Sequence, residues 1–152
     1  MYEVKALSIC NLDEVVALYR RKVDEDASRD PRVGRAGVDE RAIRNLLQYR
    51  FDIENDVFLV SFLRDDAVGF VDSVRAPGEG IEASWYVKAA YLVPECRDDG
   101  HFEALIRVLE REVRRRGVVT VYANRSSDES ATSLWEAAGY EAEGDRLVKS
   151  LR

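Results

Sequence analysis

The stretch VPECRDDGHFEALIRVLEREVRRRG, Val93 to Gly117, constrains this chain more than any other. It reads as a strand end, a tight turn with a lone glycine, and a long amphipathic helix. Phe102, Leu105, Ile106, Leu109 and Val113 recur at helical spacing on one face. Glu103 with Arg107 and Glu110 with Arg114 are i,i+4 pairs on the other, and Gly117 stands where helices stop. A helix opening from such a turn presents unpaired N–H groups and the positive end of its dipole, the ingredients of an anion site. Yet Asp98 and Asp99 stand where an anion would arrive. Either acid is also suited to capping the helix, and a cap competes for the same donors.

The flanking pattern places this turn at the centre of a mixed sheet. YEVKALS alternates as a strand, and Asn11 with Glu14 three residues on predicts a capping box opening a helix. Leu12, Val15, Val16, Tyr19 and Val23 give that helix one apolar face. Asp26 to Gly37 has no period and holds a proline and two glycines, which predicts a loop. A second helix carries Ile43, Leu46, Leu47 and Phe51. From Val57 the period becomes two: VFLVSFL and AVGFVDSV flank residues 64–66 as a hairpin, and APGEG is a further turn. IEASWYVKAAYLV, Ile81 to Val93, is β-branched and aromatic, the make-up of a central strand. After the helix, VVTVYA is another strand. A short helix with Ala131, Leu134, Trp135 and Ala138 stops at Gly139, and RLVKSL is the last strand. The order is β-α-α-β-β-β-α-β-α-β-β, with one parallel crossover inside a mostly antiparallel sheet flanked by helices. Nothing in the 152 residues reads as a repeat or linker, so one α/β domain over 1–152 is expected.

Composition removes several function classes. A net charge of −6 argues against bulk nucleic-acid binding, which needs a basic face. No apolar run approaches the roughly 20 residues that span a bilayer, and the N-terminus lacks a signal-peptide pattern, so a cytoplasmic protein off the membrane is expected. Cys10, Cys96 and the lone His101 have no metal-ligand spacing, and no metal site is expected. His101 is expected at the surface or beside a phosphate, with no Ser or Cys partner.

LVPECRDDGHFEAL, Leu92 to Leu105, resembles the acetyl-coenzyme A motif of the GCN5-related N-acetyltransferase (GNAT) family: Val-x-Pro-Glu, then Arg or Gln-x-x-Gly-x-Gly or Ala. DESATSLWEAAGY, Asp128 to Tyr140, is similar to a second family motif, Asn-x-x-Ala-x-x-Leu-Tyr-x-x-x-Gly-Phe. The two stand in the family's order, separated by a predicted strand. The resemblance implies the GNAT acyl-CoA N-acyltransferase fold over nearly the whole chain, with acetyl-CoA as co-substrate. It further implies that Leu92 and Val93 contact pantetheine and that amides from Arg97 through Asp98, Asp99, Gly100 and His101 to Phe102 face the diphosphate. Arg97 would help hold the diphosphate, N–H groups near Leu92 would polarise the thioester carbonyl, and Asn124 is a further pantetheine contact. The motif is degenerate: Asp98 replaces a glycine, Asp99 an often basic residue, and Phe102 a Gly or Ala.

The same resemblance locates the catalytic positions. Acyl transfer to an amine needs the amine neutral and the leaving thiolate protonated. Where the family often places a carboxylate base, Tyr86 stands here, and a tyrosine of pKa about 10 is a poor base. Glu82 is the nearest carboxylate on that strand and shares the face of Tyr86 in an unbulged strand. Trp135 replaces the family's acidic tyrosine and Tyr140 its phenylalanine; both lie on apolar faces and predict core packing. The implied function is transfer of acetyl to a small-molecule or peptide amine. The alternative is a GNAT-like module that binds or regulates without catalysis, with Phe102 or the aspartates closing the site. A homodimer is compatible with the fold, and no interface is legible.

Overall fold

The computed structural model describes residues 2–29, 39–50, 56–76, 84–125 and 129–152. The elements follow the order expected: β1 (Tyr2–Ala6), α1 (Leu12–Arg29), α2 (Glu40–Gln48), β2 (Asp56–Leu63), β3 (Asp66–Arg75), β4 (Ser84–Leu92), α3 (His101–Arg115), β5 (Thr120–Asn124), α4 (Glu129–Ala137), β6 (Glu141–Glu143) and β7 (Arg146–Ser150). They form a 7-stranded sheet in the order β1-β2-β3-β4-β5-β7-β6. Every neighbouring pair is antiparallel except β4 with β5, which are joined through α3 and run parallel.

Strand alternation fixes which helix covers which face. Val60 lies opposite Phe70 and Ser61 opposite Gly69, so Phe70 and Ser61 point to opposite sides of the sheet. Tyr19 of α1 stacks on Phe70 with ring centroids 5.3 Å apart, and His101 of α3 bonds to Ser61. The first helices therefore cover one face and α3 the other. Between them β2 and β3 are buried without interruption over six positions each, which is why their apolar residues run on rather than alternate. The β2–β3 turn is tight: Arg64 and Asp65 both take positive φ, 52° and 70°, as a two-residue hairpin loop requires.

Local chemistry departs from expectation in three places. Asn11 does not cap its own helix: its Oδ1 accepts from Ser8 N at 2.9 Å and its Nδ2 donates to Ala6 O at 3.0 Å, stitching the turn between β1 and α1. α1 continues through Arg29, so Asp26 to Arg29 are helical rather than loop; the ion pairs of Lys22 with Asp26 and Arg29 with Glu25 support that last turn. Leu46 is 57% exposed and leaves the apolar face of α2 to Ile43 and Leu47. The rest of the expected loop, residues 30–37, lies outside the described residues, as do Phe51 and the glycines of APGEG.

One buried charge cluster ties the segment after α2 to the sheet. Arg50 donates from Nη1 to Asp72 Oδ2 at 2.9 Å, from Nη2 to Asp72 Oδ1 at 2.5 Å, and from Nε to Asp56 Oδ2 at 2.8 Å. Asp72 is 4% exposed and sits on β3 behind the bulged part of β4. Arg50→Ala leaves that carboxylate buried without its partner, and we expect a loss of about 3–5 kcal/mol in urea unfolding. A loss below about 1 kcal/mol would mean that water reaches Asp72 in the folded chain.

Candidate active site: a gap between parallel strands

The site begins where β4 and β5 stop pairing. Their register runs Ser84↔Thr120, Trp85↔Val121, Tyr86↔Tyr122 and Val87↔Ala123, and ends there. On its other edge β4 continues with β3 to Leu92, through a bulge: Val87 faces Ser73 and Ala89 faces Asp72, so Lys88 is the extra residue. A bulge bends its strand, and among the described residues the β5 side of β4 is a free edge from Lys88 to Leu92. A cavity of about 550 Å³ fills the gap. Its walls are β4 from Val87 to Leu92, Ala123 and Asn124 of β5, the end of α1, Phe102, and Leu134 with Trp135 of α4.

The wide end of the gap is braced by Arg97. Val93 N–H donates to Val68 O at 2.9 Å, so the Leu92 carbonyl of the same peptide points the other way, and Arg97 Nε donates to it at 2.7 Å. The same guanidinium grips Glu25 of α1 in two bonds of 2.8 and 2.9 Å. Burial pushes the Glu25 carboxyl up, but the hydrogen bonds and charge of Arg97, with Arg29 adding, hold it below the usual carboxylate range. Glu25 is thus a fixed anion. The Arg97 side chain, expected at a diphosphate, is instead a clamp from α1 to the end of β4. The Leu92 carbonyl, expected to meet pantetheine, is already engaged, as is the Val93 amide.

The turn into α3 divides its donors. Gly100 takes φ +78° with open space where a Cβ would be, so it is needed for backbone conformation rather than for a close protein contact. Asp99 Oδ1 accepts from His101 N at 3.2 Å, and its Oδ2 accepts from the Tyr2 hydroxyl. That hydroxyl is the main cause of the lowered Asp99 carboxyl, and Tyr2 in turn is pushed up to about 12, chiefly by the Asp99 bond. The Arg97 amide turns back to Pro94 O at 3.3 Å. Among the described residues no hydrogen bond is made to the amides of Asp98, Gly100 or Phe102. Asp98 is exposed. One aspartate therefore caps, and the other leaves its neighbours open.

His101 is neither surface nor phosphate-facing. It is 1% exposed, its Nε2 lies 2.5 Å from Ser61 Oγ, and its Nδ1 is buried without a partner among the described residues. The partner serine, invisible in the sequence, is 40 residues away and equally buried, so the pair is a core contact and not a nucleophile with its base. Cys96 is buried, and burial followed by Asp99 and Glu95 pushes its thiol up, the opposite of a reactive cysteine.

Phe102 belongs to the buried stripe of α3 and lies edge-on to Trp135, centroids 5.1 Å apart; Trp135 meets Tyr140 in the same way at 4.8 Å. Phe102 and Trp135 therefore wall the cavity without filling it. Tyr140 is core, as expected, and donates to the buried Glu110 at 3.0 Å, which also holds Lys149 at 3.0 Å. Tyr86 stands just outside the wall: its oxygen accepts from Asn124 Nδ2 at 2.8 Å and its ring stacks on Tyr122 at 5.2 Å. Asn124 links it to the cavity. Glu82 and Asp128 lie outside the described residues. Sequence reasoning missed Glu25 and Lys88. The lysine alone carried a signal, a lone charge inside an apolar strand next to two alanines, which fits a bulge.

No known family's sequence model matches the chain, and no curated protein matches it by sequence. Solved structures do. An acetyltransferase of the GNAT family from Streptococcus pneumoniae superposes with TM-score 0.76 at 11% identity, covering 100% of both chains. The PaiA N-acetyltransferase of Thermoplasma acidophilum, in complex with coenzyme A, gives 0.73 at 15% identity over 97% of this chain and 96% of that one. A ribosomal-protein-alanine N-acetyltransferase from Brucella melitensis gives 0.74 at 19% identity over 98% and 99%. The fold is the GNAT fold, a mixed 7-stranded sheet flanked by helices.

His101 is the only histidine, which isolates its titration. Burial pushes its imidazole below the ordinary value, against the upward pull of Asp99. The unfolded chain therefore takes up this proton first as pH falls, so stability is full above about pH 6.5 and is lost on descending through the lower folded value. Between pH 7 and pH 5 unfolding stability should fall, by at most about 1.4 kcal/mol per pH unit, and His101→Gln should flatten the slope. An unchanged slope in that variant would place the titration elsewhere.

Proposed function

We propose that this chain is an acetyl-CoA-dependent N-acetyltransferase that passes an acetyl group to a small-molecule or peptide amine by direct attack. The observation that carries this reading is the free edge of β4 from Lys88 to Leu92 lining a cavity of about 550 Å³. Backbone N–H and C=O groups on an unpaired edge accept an extended amide-bearing arm as another strand would be accepted. With the Leu92 carbonyl held by Arg97, the Leu92 N–H and the Ala90 backbone remain for that arm. The bare amides of Asp98, Gly100 and Phe102 at the start of α3 suit a diphosphate, and a neighbour of the same fold was solved with coenzyme A.

The co-substrate supplies an activated acyl group on sulfur. The chain's part is largely positional: a rigid gap holds one reactant while the α1 side admits the other, and orientation of this kind contributes about 7–11 kcal/mol in favourable cases. The Leu92 N–H is a donor fixed at the wide end of the gap, suited to an amide carbonyl of the arm, while the reacting end lies farther in. Asn124 gives the cavity a polar edge, and Tyr86, just behind it, accepts from Asn124 and has its own hydroxyl hydrogen left to donate. Glu25, kept ionised by Arg97, is an anchor and not the base. An open cavity with Phe102 in its wall favours this reading over a site sealed by that ring.

Calorimetric titration with CoA and acetyl-CoA at low salt tests the reading. Micromolar binding is expected, and Asp98→Asn should tighten it roughly twofold to fivefold, with the gain fading as salt is raised. Folded protein that ignores millimolar CoA would sink the proposal.

A further inference from the structure

Acyl transfer expels a thiolate, and the position of Trp135 offers it only an indole N–H, which donates a hydrogen bond but no usable proton. The cavity wall contains several other proton-bearing groups, and the structure commits nearly all of them. Lys22 is tied to Asp26 at 2.6 Å. Arg29 and Arg97 both pair with Glu25, and a guanidinium does not release its proton in any case, which also excludes Arg125. Tyr91 is pushed up to about 12, first by burial and then by Glu25, too high to protonate a thiolate well. Lys88 is different. It is exposed, it is one of the residues that line the cavity, and no described residue forms an ion pair with it.

Its place in the strand is also the right one. An extended arm anchored at the α3 turn runs inward along β4 from Leu92, and the gap closes where Val87 pairs with Ala123. At about 3.3 Å per residue, the free edge is roughly 13 Å long, and its closed end is the bulge that carries Lys88. The reacting end of the arm stops there. Resting on the acetyltransferase reading, we propose that the Lys88 ammonium stands at the leaving sulfur, stabilises the thiolate as it forms, and returns it a proton. The steps balance. The neutral amine forms the new C–N bond, the C–S pair passes to sulfur, and Lys88 Nζ gives a proton to that sulfur. The proton shed by the acylated nitrogen returns to Nζ through water.

The test reads the bound product itself. The thiol of free CoA bound to the protein is titrated by its ultraviolet thiolate absorbance, in the unsubstituted chain, Lys88→Met and Lys88→Arg. Beside a cation the bound thiol should ionise at a pH lower by about one or more than in solution; Met should abolish that difference and Arg should keep it. Thiol release from acetyl-CoA with hydroxylamine as probe amine is measured alongside. Here both variants should lose about 10²-fold or more in kcat with the KM for acetyl-CoA unchanged, because arginine keeps charge but gives no proton. The same thiol titration in the chain and in Lys88→Met overturns the proposal. So does a variant that loses CoA affinity while the thiol is unmoved, which would make Lys88 a phosphate contact. Failure of the unsubstituted chain to bind CoA removes the acetyltransferase reading and this one with it. Bound CoA without accelerated thiol release removes transfer alone, and leaves the titration to judge the thiolate contact.

Discussion

The parting of β4 from β5 is the constraint on which the site depends. Parallel strands are rarely left half paired inside a sheet, because each unpaired amide and carbonyl there loses a hydrogen bond. Here the loss is prepared on the other edge. β4 keeps its antiparallel contact with β3 to the end, but with Lys88 inserted as an extra residue, and the bend turns the second half of the strand away from β5. Gly69 makes that second half fit: a Cβ on it would lie 2.7 Å from the Tyr91 carbonyl and 2.9 Å from a Leu92 methyl. A cleft that a ligand arm can complete as a missing strand follows from one bulge and one glycine.

An opening of this kind needs reinforcement, and Arg97 provides it. Five N–H donors in a flat fork let one side chain reach the Leu92 carbonyl and both oxygens of Glu25 at once, which a lysine could not do. The motif arginine is therefore committed to bracing the cleft within the protein, and on the proposed reading anion binding falls to backbone amides. On the far side, Asp99 spends its charge on Tyr2 and on the His101 amide, both within the protein. That arrangement lessens the conflict posed by two acids at an anion site. Asp98 remains the exposed carboxylate near the open amides.

The fold was largely legible because it rests on local periodicity. The element order, the hairpin and the long central strand all come from spacing, and each lies in a stretch whose neighbours agree with it. What was not legible depends on residues distant in the chain. His101 looked exposed because it follows a polar turn; Ser61, on another strand, makes it a core residue. Asn11 fits a capping box by sequence, yet the strand behind it offers Ala6 O, and the side chain turns that way. Asp26 to Arg29 lacked an apolar period, but i,i+4 ion pairs with Lys22 and Glu25 extend the helix through them, and this puts Glu25 within reach of Arg97. Tyr86 is legible as a residue of the central strand, while its position behind Asn124 depends on pairing with β5, a strand distant in the chain.

The aromatic substitutions find their meaning in packing. Phe102, Trp135 and Tyr140 form one run of edge-to-face contacts from α3 across α4 to the start of β6, and Tyr140 ends on Glu110 and Lys149. Aromatic pairs of this geometry add about 0.5–1.5 kcal/mol each beyond the area they bury, so the run stiffens the helix wall of the cavity. None of these three packed rings offers the cavity a usable proton. On the acetyltransferase reading, acid–base work then falls to the strand wall opposite, where Asn124 and Lys88 line the cavity and Tyr86 stands behind Asn124. The division into an aromatic, packed wall from α3 and α4 and a polar wall from the strands is a property of the whole site, and no single motif position displays it.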